Sequence, residues 1–443
     1  MDVSKPTAEA MAEIKAKHKF WSTQLVPQPN LEENNLPEGP IKDYNIESNR
    51  ADIRPIPYNL PGGFSWGLIN INDEEELESL FRFLEHHYVE DDLLRFRYSK
   101  KFLKYALSLP NMNPEYVIVI RDANNNIVGS ITGSPAHYKI RNDEYDVVEV
   151  NFLCVKKELR NHRITPVLIK ELTRRCNING IFQAVYTAGK PLPRPFLRSN
   201  YYHRLINIEK LIDVGFYDTK KRIDIEKRIY ALPDVPVTDF RPVDESDLRI
   251  IVERLNEYQR TFEIARLFTV EEARHLFLPI DDVVSSYVWV GERERILGFA
   301  SWTLVDMSVL ENPNHDSMRV AYLNYHFLTD FEHFNCPKPE RFTNRKHPSD
   351  VTVADLEACE ETITTLNFEH EPFVNSMKTL IEKSLIHARD HDECDVFNCL
   401  DNLYNSVYLE DLMFLRGSGK LHYYLFNYRV DPVTPVECGA LLY

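Results

Sequence analysis

Residues 151–175 read NFLCVKKELRNHRITPVLIKELTRR. The apolar run that ends a strand, VVEVNFLCV (147–155), passes into a basic turn. A helical period then opens at about Ile164, with Pro166 inside the first turn, where a missing N–H costs nothing. The first backbone amides of such a helix lack intrahelical partners and carry the positive end of its dipole. The turn can therefore receive a pyrophosphate while Arg160, His162 and Arg163 supply charge. This is anion-binding chemistry without a glycine-rich loop. A solvated basic turn that merely caps a helix fits the same spacing, and the residues alone leave both readings open.

Upstream, GLININDEEELESLFRFLEHHY (67–88) predicts a strand end, a capping Asn72 or Asp73 and an amphipathic helix. VIVIRDANNNIVGSITG (117–133) predicts a hairpin with an Asn-rich turn, and GIFQAVYTA (180–188) a further strand. The same order returns later. FRPVDESDLRIIVERLNEYQ (240–259) repeats the turn and helix, and SYVWVGERERILGFASWTL (286–304) repeats the hairpin with ILGF where the first copy has IVGS. VAYLNYHFL (320–328) stands opposite VVEVNFLCV, and a helix from Phe373 followed by CDVFNCLD (394–401) completes the copy. The fold class implied is mixed α/β. Two pseudo-twofold-related halves, 51–235 and 236–443, form one unit around a central sheet with a ligand cleft between them. Residues 1–50 predict a polar arm anchored at His18-Lys19-Phe20-Trp21, and the acidic stretch 329–372 a surface insertion.

Composition narrows the class. A chain of 443 residues, 43% hydrophobic, exceeds one ordinary core. No run reaches the roughly 18 apolar residues of a membrane span and the opening lacks a signal-peptide block, so a cytoplasmic protein without integral membrane association is expected. The seven cysteines are scattered without C-x-x-C pairing, as reduced thiols are. A net charge of -16 disfavours nucleic acid and favours cationic partners. His387, Asp390, His391, Asp392 and Cys394 hint at metal ligands, but their spacing fits no standard site, and no metal is expected.

At this point the chain resembles a known family, the N-myristoyltransferases. Residues 149–175 follow that family's E-I-N-F-L-C-V and A-P-V-L-I patterns nearly throughout. GIFQAVYTAGKPLPRP (180–195), YYHRLIN (201–207), HKFW (18–21), YVEDD and RFRYS (88–99), DVFNCLDN (395–402) and LHYYLFNY (421–428) match further blocks in order. The resemblance implies two GNAT-like (acyl-CoA N-acyltransferase) halves and transfer of myristate from myristoyl-CoA to the N-terminal glycine of proteins. The enzyme would be a monomer with no prosthetic group. It implies acyl-CoA contacts from His18, Lys19, Phe20 and Trp21, and from Phe152, Leu153, Cys154 and Val155. Phosphate contacts would come from Arg160, Asn161, His162, Arg163, Ile164 and Thr165, with the amides of Phe152 and Leu153 as an oxyanion hole.

The apolar end CGALLY (438–443) predicts a buried terminus, and the resemblance makes the Tyr443 carboxylate the base that takes the amine proton, with Thr187 beside it. Direct amine attack needs no covalent intermediate, so Cys154 is not required as a nucleophile. Tyr88, Phe96, Tyr98, Tyr201 and His203 would line a peptide groove, Gly189 would border the reacting centre, and Glu90, Asp91, Asp92 and Asp401 would supply an acidic face. The chain departs from the family pattern at Leu93-Leu94 in a shortened loop, at Leu323 in place of a serine next to Asn324, and at Ser418 and Lys420 in LRGSGKL. Coenzyme A recognition is thus expected intact and peptide selectivity altered. Two other classes fit parts of the chain: an acyltransferase of shorter chains, and a non-catalytic acyl-CoA or lipidated-peptide binding protein.

Overall fold

In the computed structural model, which describes residues 18–28, 36–89, 94–310, 312–331 and 371–442, the strand expected at 147–155 extends back to Asp143 and pairs antiparallel with Ile127–Ile140. The helix after the basic turn runs Ile164–Ile178. The main other elements of the first half are strand Ser65–Leu68, helix Glu74–His87, strand Leu94–Arg97, helix Lys100–Ala106, strands Val117–Arg121, Gln183–Ala188 and Leu197–Leu205, and the short helices Ile208–Asp213 and Ile223–Ile229. Of the two candidate caps, Asp73 accepts from the Glu75 and Glu76 amides. The copy comprises strand Phe240–Pro242, helices Leu248–Gln259 and Val270–Phe277, strands Val284–Val290, Ile296–Val309 and Ser317–Leu328, helix Glu371–Asp390, and strands Val396–Leu400 and Leu415–Phe426. Residues 332–370 of the expected insertion lie outside the described residues.

The recurring glycine of IVGS and ILGF has a packing cause. A Cβ at Gly129 would stand 3.2 Å from Leu168 Cδ1 and one at Gly298 3.4 Å from Leu380 Cδ1, so in each half the glycine lets the long helix close on the sheet. In the first half, alternation along the strands divides the core. Leu77, Leu80, Leu84 and Leu103 pack with Val119 and Phe152 on one face. Ile164, Leu168 and Leu172 pack with Ile131 and Val148 on the other.

Among the described residues the two halves share one 15-stranded mixed sheet. At its centre Leu197–Leu205 pairs with Leu415–Phe426, and each of these strands also borders the other half: the first pairs with Val396–Leu400 and the second with Gln183–Ala188. Two short strands are exchanged outright. Leu94–Arg97 adds to Ile296–Val309 of the second half, and Ile264–Leu267 adds to Ile127–Ile140 of the first. The second exchange carries buried Arg266 to Glu149 at 2.8 Å, where the Tyr138 hydroxyl also donates at 2.7 Å. A buried charge needs such partners, and here they tie one half's strand to the other half's. Among the described residues no helix is long and apolar enough to cross a membrane.

Candidate active site

The site begins where two parallel strands part. Pairing between Asp143–Val155 and Gln183–Ala188 stops at Val150 opposite Tyr186, although both strands continue. Just beyond, Thr132 pairs with Asn151 and Ser130 with Cys154, so Phe152 and Leu153 together oppose Ile131. Phe152 takes φ 48, a left-handed conformation that an aromatic residue adopts only under constraint. The constraint is visible: the Thr132 hydroxyl donates to the Asn151 carbonyl at 3.1 Å and the Ser130 hydroxyl to the Phe152 carbonyl at 2.8 Å. The Phe152 N–H faces the Tyr88 hydroxyl, whose pKa burial pushes up to about 12.

Between the parted strands lies a cleft of about 830 Å³, counted to its open mouth, with Leu153 and Thr187 on its wall. Its other walls come from Ile131, Val148, Val150, Leu172, Ala184, Tyr186 and Phe426, and Trp21 of the arm closes one side. Trp21 stacks on Tyr186 with ring centroids 5.3 Å apart and planes 5° from parallel, and Tyr186 stacks in turn on Tyr424 at 5.1 Å. Of the arm's four anchor residues, only Trp21 lines the cleft. His18, Lys19 and Phe20 form the turn that presents it, their carbonyls accepting from the Ser22 and Thr23 amides and hydroxyls. The cleft walls went unnoticed in the sequence because their alternation is that of any buried strand.

The basic turn sits beside this cleft. Arg163 caps the helix in the left-handed region at φ 57 without a side-chain cap, so the first-turn amides beyond it, from Ile164 and Thr165, have no side-chain acceptor of its making. Asn161 and His162 are exposed in the same turn. Arg160 is more constrained than its sequence suggests. Its guanidinium donates to the His87 carbonyl at 2.8 Å and the Val155 carbonyl at 3.4 Å, bracing the turn. Cys154 is buried and its thiol is pushed up to about 12 by desolvation, so it carries no thiolate at neutral pH.

On the opposite face the expected aromatic groove residues converge. Tyr88 and Tyr98 lie 5.7 and 5.6 Å from the Phe152 ring, and Phe96 lies 5.7 Å from Tyr98 and 6.2 Å from Tyr322. Near them three residues, Gly417 to Gly419, bulge opposite Tyr201. Added Cβ atoms at Gly417 and Gly419 would meet His203 Nε2 at 2.3 Å and the Tyr201 ring at 3.3 Å, so the bulge lies against both side chains, with exposed Ser418 between the two glycines. His203 is held through Nδ1 to Asn398 Oδ1 at 2.7 Å, and burial lowers its basicity. A Cβ at Gly189 would meet nothing within 4 Å.

Two expectations are corrected. Asp401 offers no exposed acidic face: it is buried, and its two oxygens accept from the Asn200 amide at 2.9 Å and side chain at 2.7 Å. Desolvation raises its carboxyl to about 6. Leu323 is 1% exposed and packs into the central core, on the strand face opposite Tyr322 and Phe96, so it is a packing residue rather than a wall of the Phe96 groove. Asn324, next in the chain, is half-buried within the second half's own bulge. Glu90, Asp91, Asp92 and Tyr443 lie outside the described residues. The chain is buried as far as Leu442. Cys438–Gly439 pairs with Ile264–Ala265, the Ala440 carbonyl accepts from Asn402, and the Leu441 amide donates to the Tyr325 hydroxyl at 3.3 Å. Of the hinted metal ligands, Asp392 accepts from Trp302 and Ser285, and the His387 ring stacks on His391.

Comparison with known proteins places the whole chain. Residues 44–198 match the family model for the myristoyl-CoA:protein N-myristoyltransferase N-terminal domain, and residues 213–438 match its C-terminal domain. A glycylpeptide N-tetradecanoyltransferase of Arabidopsis thaliana is 34% identical over 98% of this chain and 91% of its own length. One from Emericella nidulans is 35% identical over 95% and 80%. The crystal structure of Saccharomyces cerevisiae N-myristoyltransferase with bound myristoyl-CoA superposes with a TM-score of 0.81 at 30% identity, over 96% of this chain and 99% of that one. The chain belongs to the N-myristoyltransferase family.

Proposed function

We infer that this chain is a glycylpeptide N-tetradecanoyltransferase, moving the 14-carbon acyl group of myristoyl-CoA to the N-terminal glycine amine of peptides. One observation carries the reading: the strained Phe152–Leu153 bulge stands between an apolar cleft on one face of the sheet and an aromatic wall on the other. A thioester carbonyl at the bulge would have its chain in the cleft and the incoming amine on the far side. The coenzyme A phosphates would lie at the Arg163-capped helix, with Asn161, His162 and Thr165 around them. Burying the chain at about 0.8 kcal/mol per CH₂ is worth on the order of 10 kcal/mol before ordering costs, which suits selection for length.

The amine nitrogen attacks the thioester carbon, and negative charge moves to the oxygen, where the Phe152 and Leu153 amides receive it at roughly 3–4 kcal/mol each. Collapse breaks the carbon–sulfur bond and releases coenzyme A thiolate. The amine enters mostly protonated, so one proton must leave before attack and a second during it. The Tyr443 carboxylate, assisted by Thr187, is assigned as the acceptor of the first, and the second passes to the departing thiolate, which leaves as coenzyme A thiol; the burial of Ala440, Leu441 and Leu442 supports a terminus held in the interior. In this reading the half 51–235 serves the acyl donor and the half 236–443 the peptide. The protein works in the cytoplasm as a monomer on nascent or cleaved proteins with an N-terminal glycine.

The test is thiol release from acyl-CoAs of 8 to 18 carbons, with and without a peptide beginning Gly-x-x-x-Ser. Release should peak at 14 carbons and require the peptide. Peptide-independent release, or a preference for short chains, would overturn the reading.

A further inference from the structure

Asn427 interrupts the strand that walls the acyl cleft. It follows Phe426, a cleft residue, precedes Tyr428–Arg429, is fully buried, and sits in the left-handed region at φ 55. All four of its hydrogen-bonding groups go to the arm. Its amide donates to the Leu25 carbonyl at 2.6 Å and its carbonyl accepts from the Ile41 amide at 3.3 Å. Its Oδ1 accepts from the Lys42 amide at 2.8 Å and its Nδ2 donates to the Lys42 carbonyl at 3.1 Å. The neighbouring pair Tyr428–Arg429 adds a two-residue ladder with Gly39–Pro40.

Among the described residues of the arm, Val26 and Tyr44 are its buried apolar anchors, and the arm must also deliver Trp21 to a stack on Tyr186 at the cleft wall. Gln28 secures the path between them, its side chain donating to the Trp21 and Val26 carbonyls at 3.0 Å each. We propose that Asn427 is a positioning residue for the acyl donor: its clasp on Leu25, Ile41 and Lys42 holds Trp21 against the cleft and so sets donor affinity. The proposal rests on the function inferred above. Satisfying four groups at once requires a short amide side chain in the left-handed region, a combination that asparagine tolerates and most residues do not.

Asn427→Gly separates clasp from fold, because glycine keeps φ near 55 and the two backbone bonds while deleting the two side-chain bonds. In the free protein, hydrogen exchange of segments 18–28 and 36–44 should quicken about tenfold, as expected for two lost bonds. With tetradecanoyl-CoA and a glycine peptide, KM for the donor should rise about tenfold while kcat stays within about twofold. Trp21→Ala should give the same split, and the double variant should be no worse than about twofold beyond the larger single effect. Asn427→Asp, which keeps the acceptor for Lys42, should fall between wild type and glycine. Unchanged arm exchange, effects that multiply in the double variant, or a loss confined to kcat would overturn the proposal. A wild-type protein that turns over no acyl-CoA would overturn the inferred function instead, and the exchange measurement would still decide the clasp.

Discussion

Each half contains the same wedge, and among the described residues the first is open and the second filled. In the first half the parallel strands part after Val150 and Tyr186, and the gap is a cleft closed at one side by Trp21. In the second half the corresponding strands part after Tyr322 and Asn398. Here Phe277, Phe299, Tyr325 and Phe327 pack in one cluster with Leu441 and Leu442 of the chain's own end. Both wedges carry a bulge. Phe152 and Leu153 oppose Ile131 in one, and Asn324 and Tyr325 oppose Ser301 in the other. Only Phe152 takes a positive φ. The two halves therefore carry wedges of one geometry that differ in their filling: the first stands open as a cleft, and the second is packed with side chains that include Leu441 and Leu442.

The comparison can be broken by treating the wedges alike. Phe299→Ala, in the filled wedge, should cost about 3–5 kcal/mol of stability by leaving a cavity, with donor KM unchanged in the folded fraction. Urea unfolding checks it, and a small cost would mean that the second wedge is as loosely filled as the first. The converse change, Ala184→Phe in the open wedge, should remove room for three or four CH₂ groups. Donor KM should then rise about 100-fold, with stability changed by less than about 1 kcal/mol. Initial rates with acyl-CoAs of graded length measure this, and the preferred chain should shorten.

A third prediction concerns the far end of the filled wedge. Asp401 titrates at about 6 when folded, above its ordinary 3.8, because burial penalises the charge. Between those values the folded protein binds more protons than the unfolded chain, so this contribution is present in full below about pH 4 and is lost as pH rises through about 6. Wild type should therefore lose up to about 2–3 kcal/mol relative to Asp401→Asn across that window. Parallel urea titrations from pH 4 to 7 test the sign, and equal slopes would show that the carboxyl stays ionised. The smallest expected effect sharpens the functional contrast: deleting Tyr443 should lower kcat at least about tenfold while donor KM moves only a few-fold, because the carboxylate acts on the amine. Tyr443→Phe, which keeps the carboxylate, should do little, and near-normal turnover after the deletion would remove the terminus from the mechanism.

Local chemistry made much of this legible in advance. The strand-turn-helix at 151–175 follows from an apolar run, a basic turn and Pro166, and the duplication from hairpins that each carry a glycine under a long helix. These are short-range patterns, written in neighbouring residues. The exchange of Leu94–Arg97 and Ile264–Leu267 between halves has no such signature, since strand partners far apart in sequence are chosen by which sheet edge is free. The same holds at the site. The basic turn and the apolar end could be read, but the inward commitment of Asp401 and the clasp of Asn427 depend on groups roughly 200 and 400 positions away, and the burial of Leu323 on which sheet face the core covers. Which wedge stayed open was likewise decided only in the fold, because an empty cleft and a filled one share the same alternation along their strands and differ in what the rest of the chain brings to them.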